Sequence, residues 1–149
     1  MITDLTFKTN SIFDTVAYDK DTNAWYFSFA DNIYASSSGF WRLLKANRIV
    51  FVSLDKGRQF GLPQPLDIVE NIMKQLTGKK LTEIKVDKDT GDLTLTISDN
   101  IQIQIFVASL GYESYDFSFE DKRFIGLGSG DIGIVAATDN PELFITRQL

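Results

Sequence analysis

The chain has no cysteine and no histidine, and only three of its 149 residues are proline. Without cysteine there is no thiol nucleophile and no disulfide. Without either residue there is no Cys/His zinc site and no imidazole base. Positive charge is also scarce: 15 Lys+Arg stand against 20 Asp+Glu, a formal net charge of −5. That sign is wrong for a nucleic-acid binder, so no nucleic-acid partner is expected. Long apolar runs are missing too. Ile49-Val50-Phe51-Val52 is typical, far short of the roughly 20 residues a membrane span needs. The start, Met1-Ile2-Thr3-Asp4-Leu5, lacks the basic residues and apolar core of a signal peptide. The expectation is a cytoplasmic protein with no membrane association, no cofactor and no metal.

What the chain does have is alternation. In Leu93-Thr94-Leu95-Thr96-Ile97 every second residue is apolar, and Ile101-Gln102-Ile103-Gln104-Ile105 and Tyr115-Asp116-Phe117-Ser118-Phe119 repeat the pattern. Period 2 means strands with one buried and one wet face, which favours antiparallel pairing. Trp25 to Phe29, Ile33 to Ala35, Phe40 to Leu44 and Ile49 to Leu54 read the same way. Asp31-Asn32 and Asp99-Asn100 break strand from strand as hairpin turns do. One segment has helical spacing instead. Leu66, Val69, Ile72, Met73 and Leu76 share one face, with Pro65 placed for the first turn and Gly78 past the end. The spacing predicts a helix over about 65–77.

The chain also resembles itself. At an offset of 68, residues 16–36 lie over 84–104 with seven of 21 positions identical, namely the Asp-Lys-Asp-Thr and Asp-Asn-Ile runs. Further on, a four-residue shift brings Gly39-Phe40 over Gly111-Tyr112. The expected fold class is α+β: an antiparallel meander of roughly eight to ten strands with one principal helix. It forms a single domain, residues 1–149, with two pseudo-equivalent halves at 1–62 and 63–149 and a duplicated hairpin unit.

Three motifs with chemical overtones have plainer explanations. The Asp-Lys-Asp-Thr runs place acids at alternate positions, but the twelfth residues of calcium-type loops would be Ala30 and Ser98, which are not acidic. They read as turns. Gly126-Leu127-Gly128-Ser129-Gly130-Asp131 precedes a strand pattern, Ile132-Gly133-Ile134-Val135, rather than the helix of a phosphate loop. Asp116 and Glu120 fall on the wet face of a strand, where water solvates them and no acid–base pair for glycoside chemistry forms. Trp25, Tyr26, Phe40, Trp41, Tyr112 and Tyr115 could line an apolar pocket but at strand spacing read as core aromatics, while Tyr26 and Tyr34, which alternate outward, are the ones placed for surface contacts.

Charge is the most distinctive feature. Residues 1–75 balance eight acids with eight bases, and residues 76–149 hold 12 acids and seven bases. From 89 to 121 there are seven acids and no base. A single-sign field of this kind steers basic proteins inward. Asp89, Asp92, Asp99, Glu113, Asp116 and Glu120, with Tyr112 as an aromatic anchor, are the candidate partner-binding residues.

The run Trp41-Arg42-Leu43-Leu44, Asp55-Lys56-Gly57, the helix, Gly91-Asp92-Leu93 and Gly111-Tyr112-Glu113-Ser114 resembles small bacterial proteins of the immunity-protein-like type, over about residues 40–120. The resemblance implies a non-enzymatic inhibitor of a basic, toxin-like protein and brings no catalytic residues with it. The other reading of the sequence is a small-ligand-binding or accessory module. Its ligand would lie between sheet and helix or between the halves, a reading motivated by the 13% aromatic content.

Overall fold

The computed structural model describes residues 5–136 and 144–147; residues 1–4, part of the N-terminal stretch read above, lie outside it. The fold is α+β and almost entirely antiparallel. Its strands are β1 (Leu5–Asp19), β2 (Ala24–Phe29), β3 (Ile33–Ser37), β4 (Trp41–Lys45), β5 (Arg48–Val52), β6 (Lys80–Val86), β7 (Leu93–Ile97), β8 (Ile101–Ile105), β9 (Tyr115–Phe119), β10 (Lys122–Gly126), β11 (Ile132–Ala136) and β12 (Phe144–Arg147). The one α-helix among the described residues, α1 (Ile68–Leu76), links β5 to β6. Among the described residues there are twelve strands, more than the eight to ten expected. The surplus comes partly from β10 and β12, short strands without a long alternating run.

The strand order is β12-β11-β10-β9-β3-β2-β1-β6-β7-β8-β4-β5. Strand β1 stands at its centre and serves two neighbours. Leu5 to Ile12 pair with β6, and Phe13 to Asp19 pair with β2. The register shifts between Lys8 and Ser11 and again between Phe13 and Thr15 let one strand turn from one partner to the other. The strands on the β6 side form lobe A, and those on the β2 side form lobe B.

The duplication is reproduced in the hydrogen-bond ladder. Val16, Ala17 and Tyr18 pair with Phe27, Tyr26 and Trp25, and residues 68 further on, Ile84, Lys85 and Val86, pair with Leu95, Thr94 and Leu93. The β2–β3 and β7–β8 pairs keep the same offset throughout. The next hairpin of each half then crosses over. β4 leaves β3 and pairs with β8, while β9 leaves β8 and pairs with β3. Trp41 opposite Ile105 corresponds to Tyr115 opposite Ser37, so the offset here is 74. The four-residue shift expected from Gly39-Phe40 and Gly111-Tyr112 is therefore corrected to six. A Gly-aromatic coincidence in a connection had masked the true strand register. Each half completes the other's sheet, and reading the order outward from the β1–β6 seam gives the same sequence of equivalents on both sides.

Turn chemistry explains why the hairpins close where they do. Asp31-Asn32, Ala46-Asn47, Asp99-Asn100 and Glu120-Asp121 all have both residues at positive φ, between 49° and 64°. Two successive left-handed residues match the right-handed twist of the flanking strands, and Asn and Asp tolerate that region best among non-glycine residues. The turns at Asp19 and Asp87 also correspond. Asp19 Oδ1 accepts from the Asp21 N–H at 2.9 Å, and Asp87 Oδ1 accepts from the Asp89 N–H at 2.8 Å.

The helix is shorter than its periodicity predicts. Asp67 caps it by accepting from the Glu70 N–H at 3.0 Å, so Pro65 lies before the cap rather than in the first turn. Ile68, Ile72 and Leu76 are its buried stripe, with Leu66, Val69 and Met73 packed alongside. Its end is set by Gly78 at φ 82°.

The inner faces of the lobes meet in one core. Trp41 of lobe A lies 5.0 Å from Trp25 and 5.1 Å from Phe27 of lobe B, both edge-on. Phe7, on the lobe A half of β1, touches Phe119 at 4.9 Å and Phe124 at 5.1 Å. Trp41 is fully buried. Trp41→Ala should cost about 3–5 kcal/mol, read as an earlier midpoint of a single urea transition. A two-step transition in the variant would contradict a core shared between the lobes.

Candidate functional site

The two halves differ most at one end of the molecule. The β3–β4 connection is three residues long, 38–40, and its counterpart between β8 and β9 is nine, 106–114. The six extra residues account for the change in offset. This longer connection carries Leu110, Tyr112 and Glu113.

Several hydrogen bonds hold it in shape. The Ser109 hydroxyl accepts from the Gly111 and Tyr112 N–H groups at 3.1 and 3.0 Å. The Ser129 hydroxyl donates to the Leu110 carbonyl at 3.0 Å, and the Ser129 N–H donates to the Ser109 carbonyl at 3.1 Å. Asp92 accepts from the Val107 N–H at 2.9 Å, tying the connection to the β6–β7 turn. Ser114 is buried, and its hydroxyl accepts from the Ala108 N–H at 3.0 Å. The glycine-rich run 126–131 is thus a brace. Ser129 sits at φ 66°, and a Cβ on Gly128 would collide with the Leu110 carbonyl. Likewise a Cβ on Gly91 would lie 2.8 Å from the Gly130 backbone, and the buried Tyr115 hydroxyl donates to the Gly91 carbonyl at 2.7 Å.

On this frame, Leu110 and Tyr112 are 88% and 82% exposed. Their backbone is fixed, yet the side chains face water, which is an unfavourable place for large apolar groups. Asp92 lines a depression with Leu110, Glu113 follows Tyr112 in the chain, and the β6–β7 turn carries Asp87, Lys88 and Asp89. Asp89 and Glu113 are exposed, and Asp87 and Asp92 are half-buried. The Asp87 carboxyl is held below its usual range by the N–H groups of Thr90 and Asp89, so it stays ionised. A shallow depression of about 490 Å³ lies between Thr90 and Asp92 on one side and Val107 and Leu110 on the other. An adjoining one of about 250 Å³ also includes Arg42 and Lys85.

The structure therefore brings together four of the seven residues singled out in the sequence: Asp89, Asp92, Tyr112 and Glu113. It separates the other three. Asp99 lies in the β7–β8 turn, at the far end of β7 and on the order of 20 Å from Asp92 by strand rise, and it pairs with Lys79. Glu120 is in the β9–β10 turn rather than on a strand face. Asp116 is on the outer face of lobe B, but it is not a water-solvated carboxylate. It accepts from the Tyr34 hydroxyl at 2.8 Å, from Arg123 Nε at 2.8 Å and from the Ser36 hydroxyl. Tyr34, expected as a surface contact, is half-buried. Its phenol is pushed up to about 12 by burial first and by the Asp116 carboxylate second. Sequence reasoning missed Leu110. The signal that could have found it was the length difference between the two connections.

Among the described residues no group of three or more carboxylates is arranged to hold a metal ion, and no helix is long and apolar enough to cross a membrane. Comparison with protein-family models, curated proteins and solved structures finds no match to this chain.

Two outcomes follow from these contacts. Gly128→Ala should displace the braced connection, raising amide hydrogen exchange at 107–113 while leaving β7 and β8 protected. Unchanged exchange there would show that the glycine is not the brace. Asp116→Asn should bring the Tyr34 phenol back toward its ordinary value of 10, read from phenolate absorbance. In the wild type this tyrosine contributes stability that is complete below pH 10 and is lost as pH rises toward 12. The variant should show a smaller alkaline dependence and keep the part that burial causes.

Proposed function

We propose that the chain is a non-enzymatic binding protein that docks a basic protein partner on the acidic end built by the β6–β7 turn and the β8–β9 connection. The observation that carries this reading is the braced six-residue extension, which holds Leu110 and Tyr112 out in water next to Glu113, with Asp92 lining the depression beside Leu110. Preorganised backbone lowers the ordering cost of association, and tyrosine is among the residues most often found as interface hot spots. The carboxylates would speed encounter with a positively charged surface and set its orientation. The immunity-type resemblance of residues 40–120 agrees with such a role, in which binding covers the partner's basic site. Aromatic and helix side chains occupy the space between the lobes and beneath the helix. A ligand held in the interior therefore has less in its favour.

The test is an affinity column carrying the wild-type protein, loaded with native host lysate at low and moderate salt, beside three variant columns. The first variant carries Leu110→Ser and Tyr112→Ser, the second Asp89→Lys and Glu113→Lys, and the third Asp99→Lys and Glu120→Lys. A basic protein should be retained by the wild type and the third column and lost from the first two. Measured on the purified partner, loss of a hot-spot anchor should weaken binding by at least about 30-fold, equivalent to about 2 kcal/mol. Equal retention on all four columns, or no basic protein on any, contradicts the reading.

A further inference from the structure

The duplication produces two grooves as well as two sets of strands. In lobe A a groove of about 440 Å³ is lined by Thr96, Ile97, Asn100, Ile101, Gln102 and Leu44 among others. In lobe B the equivalents of those residues, Ser28, Phe29, Asn32, Ile33, Tyr34 and Ser118, line a groove of about 670 Å³. Both grooves lie by the Asp-Asn hairpins, and the lobe B groove is at the opposite end of β3 and β9 from Tyr112. The lobes differ in what has been added. Lobe B's groove gains Lys122 and Arg123 as cations and, from β11, Val135 and Ala136 as an apolar wall. Lobe A's groove has Asp99 and no cation in its lining.

The hydrogen-bond accounting of the lobe B groove points to one class of ligand. Asp116, beneath Arg123, already accepts from Tyr34, Ser36 and Arg123 Nε, so its acceptor sites are largely taken. The Ser118 hydroxyl donates to the Asn32 carbonyl at 2.7 Å and accepts from the Tyr34 N–H at 3.1 Å. What remains unspent is mainly donor capacity. Arg123 uses Nε on Asp116 and also bonds the Tyr34 hydroxyl, which leaves part of its five N–H donors for a further acceptor, and Lys122 adds an ammonium. Asp121 stands at the rim as the opposing charge. The Arg123 side chain is 49% exposed, accessible to a ligand while held in orientation by Asp116.

We propose that the lobe B groove binds a small anionic amphipath. Its carboxylate-type head would be taken by Arg123 and Lys122, and its apolar body would lie against half-buried Val135 and Ala136. An acceptor-only head uses the free donors, and a fixed guanidinium is suited to a planar carboxylate. A pocket of this size with an apolar wall and a few converging donors is the common form of a small-ligand site. The site is separate from the acidic end and does not rest on a protein partner there.

Backbone-amide NMR titration of the whole protein with octanoate, octanol and octylammonium tests this. Octanoate should shift the amides of Ile33, Tyr34, Arg123 and Val135 saturably. The equivalent lobe A residues Ile101, Gln102 and Leu44 should remain still and serve as an internal control. Octanol should bind at least about tenfold more weakly, a difference of about 1.4 kcal/mol, and octylammonium should not shift the groove. Lys122→Gln, at an exposed position, and Arg123→Gln should each weaken octanoate about tenfold or more, as loss of a charge-assisted contact does. The proposal is overturned if octanoate leaves the lobe B amides unmoved, if octanol or octylammonium binds as well, if both grooves respond alike, or if Lys122→Gln leaves octanoate affinity unchanged.

Discussion

Everything in this fold hangs on the antiparallel pairing of β1 with β6. Leu5 to Ile12 pair with β6, and the rest of the same strand pairs with β2. The seam thus joins the two lobes into one sheet through main-chain bonds. It also sits where the duplicated halves meet, so the equivalents of one lobe run outward from it in the same order as those of the other. The crossing of β4 and β9 then locks the halves together. Neither half has its full sheet without the other's hairpin, and the Trp25–Trp41 and Phe7–Phe119 contacts bury the inner faces against each other.

A duplicated frame makes differences between halves informative. Where both copies keep the same residues, as at Asp31-Asn32 and Asp99-Asn100, the demand is structural: two successive left-handed positions. Where the copies diverge, the frame does not require the change. The six-residue extension after β8, the cations beside Tyr34 and the added β11–β12 hairpin are such changes. So is the pair Asp116 and Arg42, which occupy equivalent ladder positions with opposite charge. Arg42 donates from Nε to Gln104 at 2.7 Å, just as Asp116 accepts from Ser36, the equivalent of Gln104. The outer faces of the lobes have thus become chemically distinct over the same backbone.

Much of the fold was legible in the sequence because alternation and turn chemistry are local. The strands at Leu93–Ile97 and Ile101–Ile105 and both Asp-Asn hairpins lie where period 2 and φ-tolerant residues place them. The crossover was not legible. Which strand pairs with β9 is decided by contacts some 80 residues away in the chain, such as Ser36 to Asp116, and nothing in a local window reports it. The helix start was misplaced because Pro65 is compatible with a first turn; Asp67, three residues before Glu70, is the capping pattern that marks the true start. At the site, the acid-only stretch was correctly seen as unusual in composition. Its dispersal to both ends of β7 and β9 follows from strand geometry: residues six or seven apart on a strand are carried to opposite ends, unlike those on a helix face. Asp116 showed as a wet-face acid because its partners Tyr34 and Arg123 come from two other strands.

The central claim is that the halves are one cooperative body held by the β1–β6 seam and the exchanged hairpins. Native-state hydrogen exchange in rising denaturant tests it most directly, comparing core amides of β4 and β9 with those of β6 and β2. The account predicts that all four strands converge on one opening free energy and one denaturant dependence, those of global unfolding. Separate convergence of β2, β3 and β9 from β6, β7, β8 and β4, with a shallower dependence for either group, would show lobes that open independently and would contradict it.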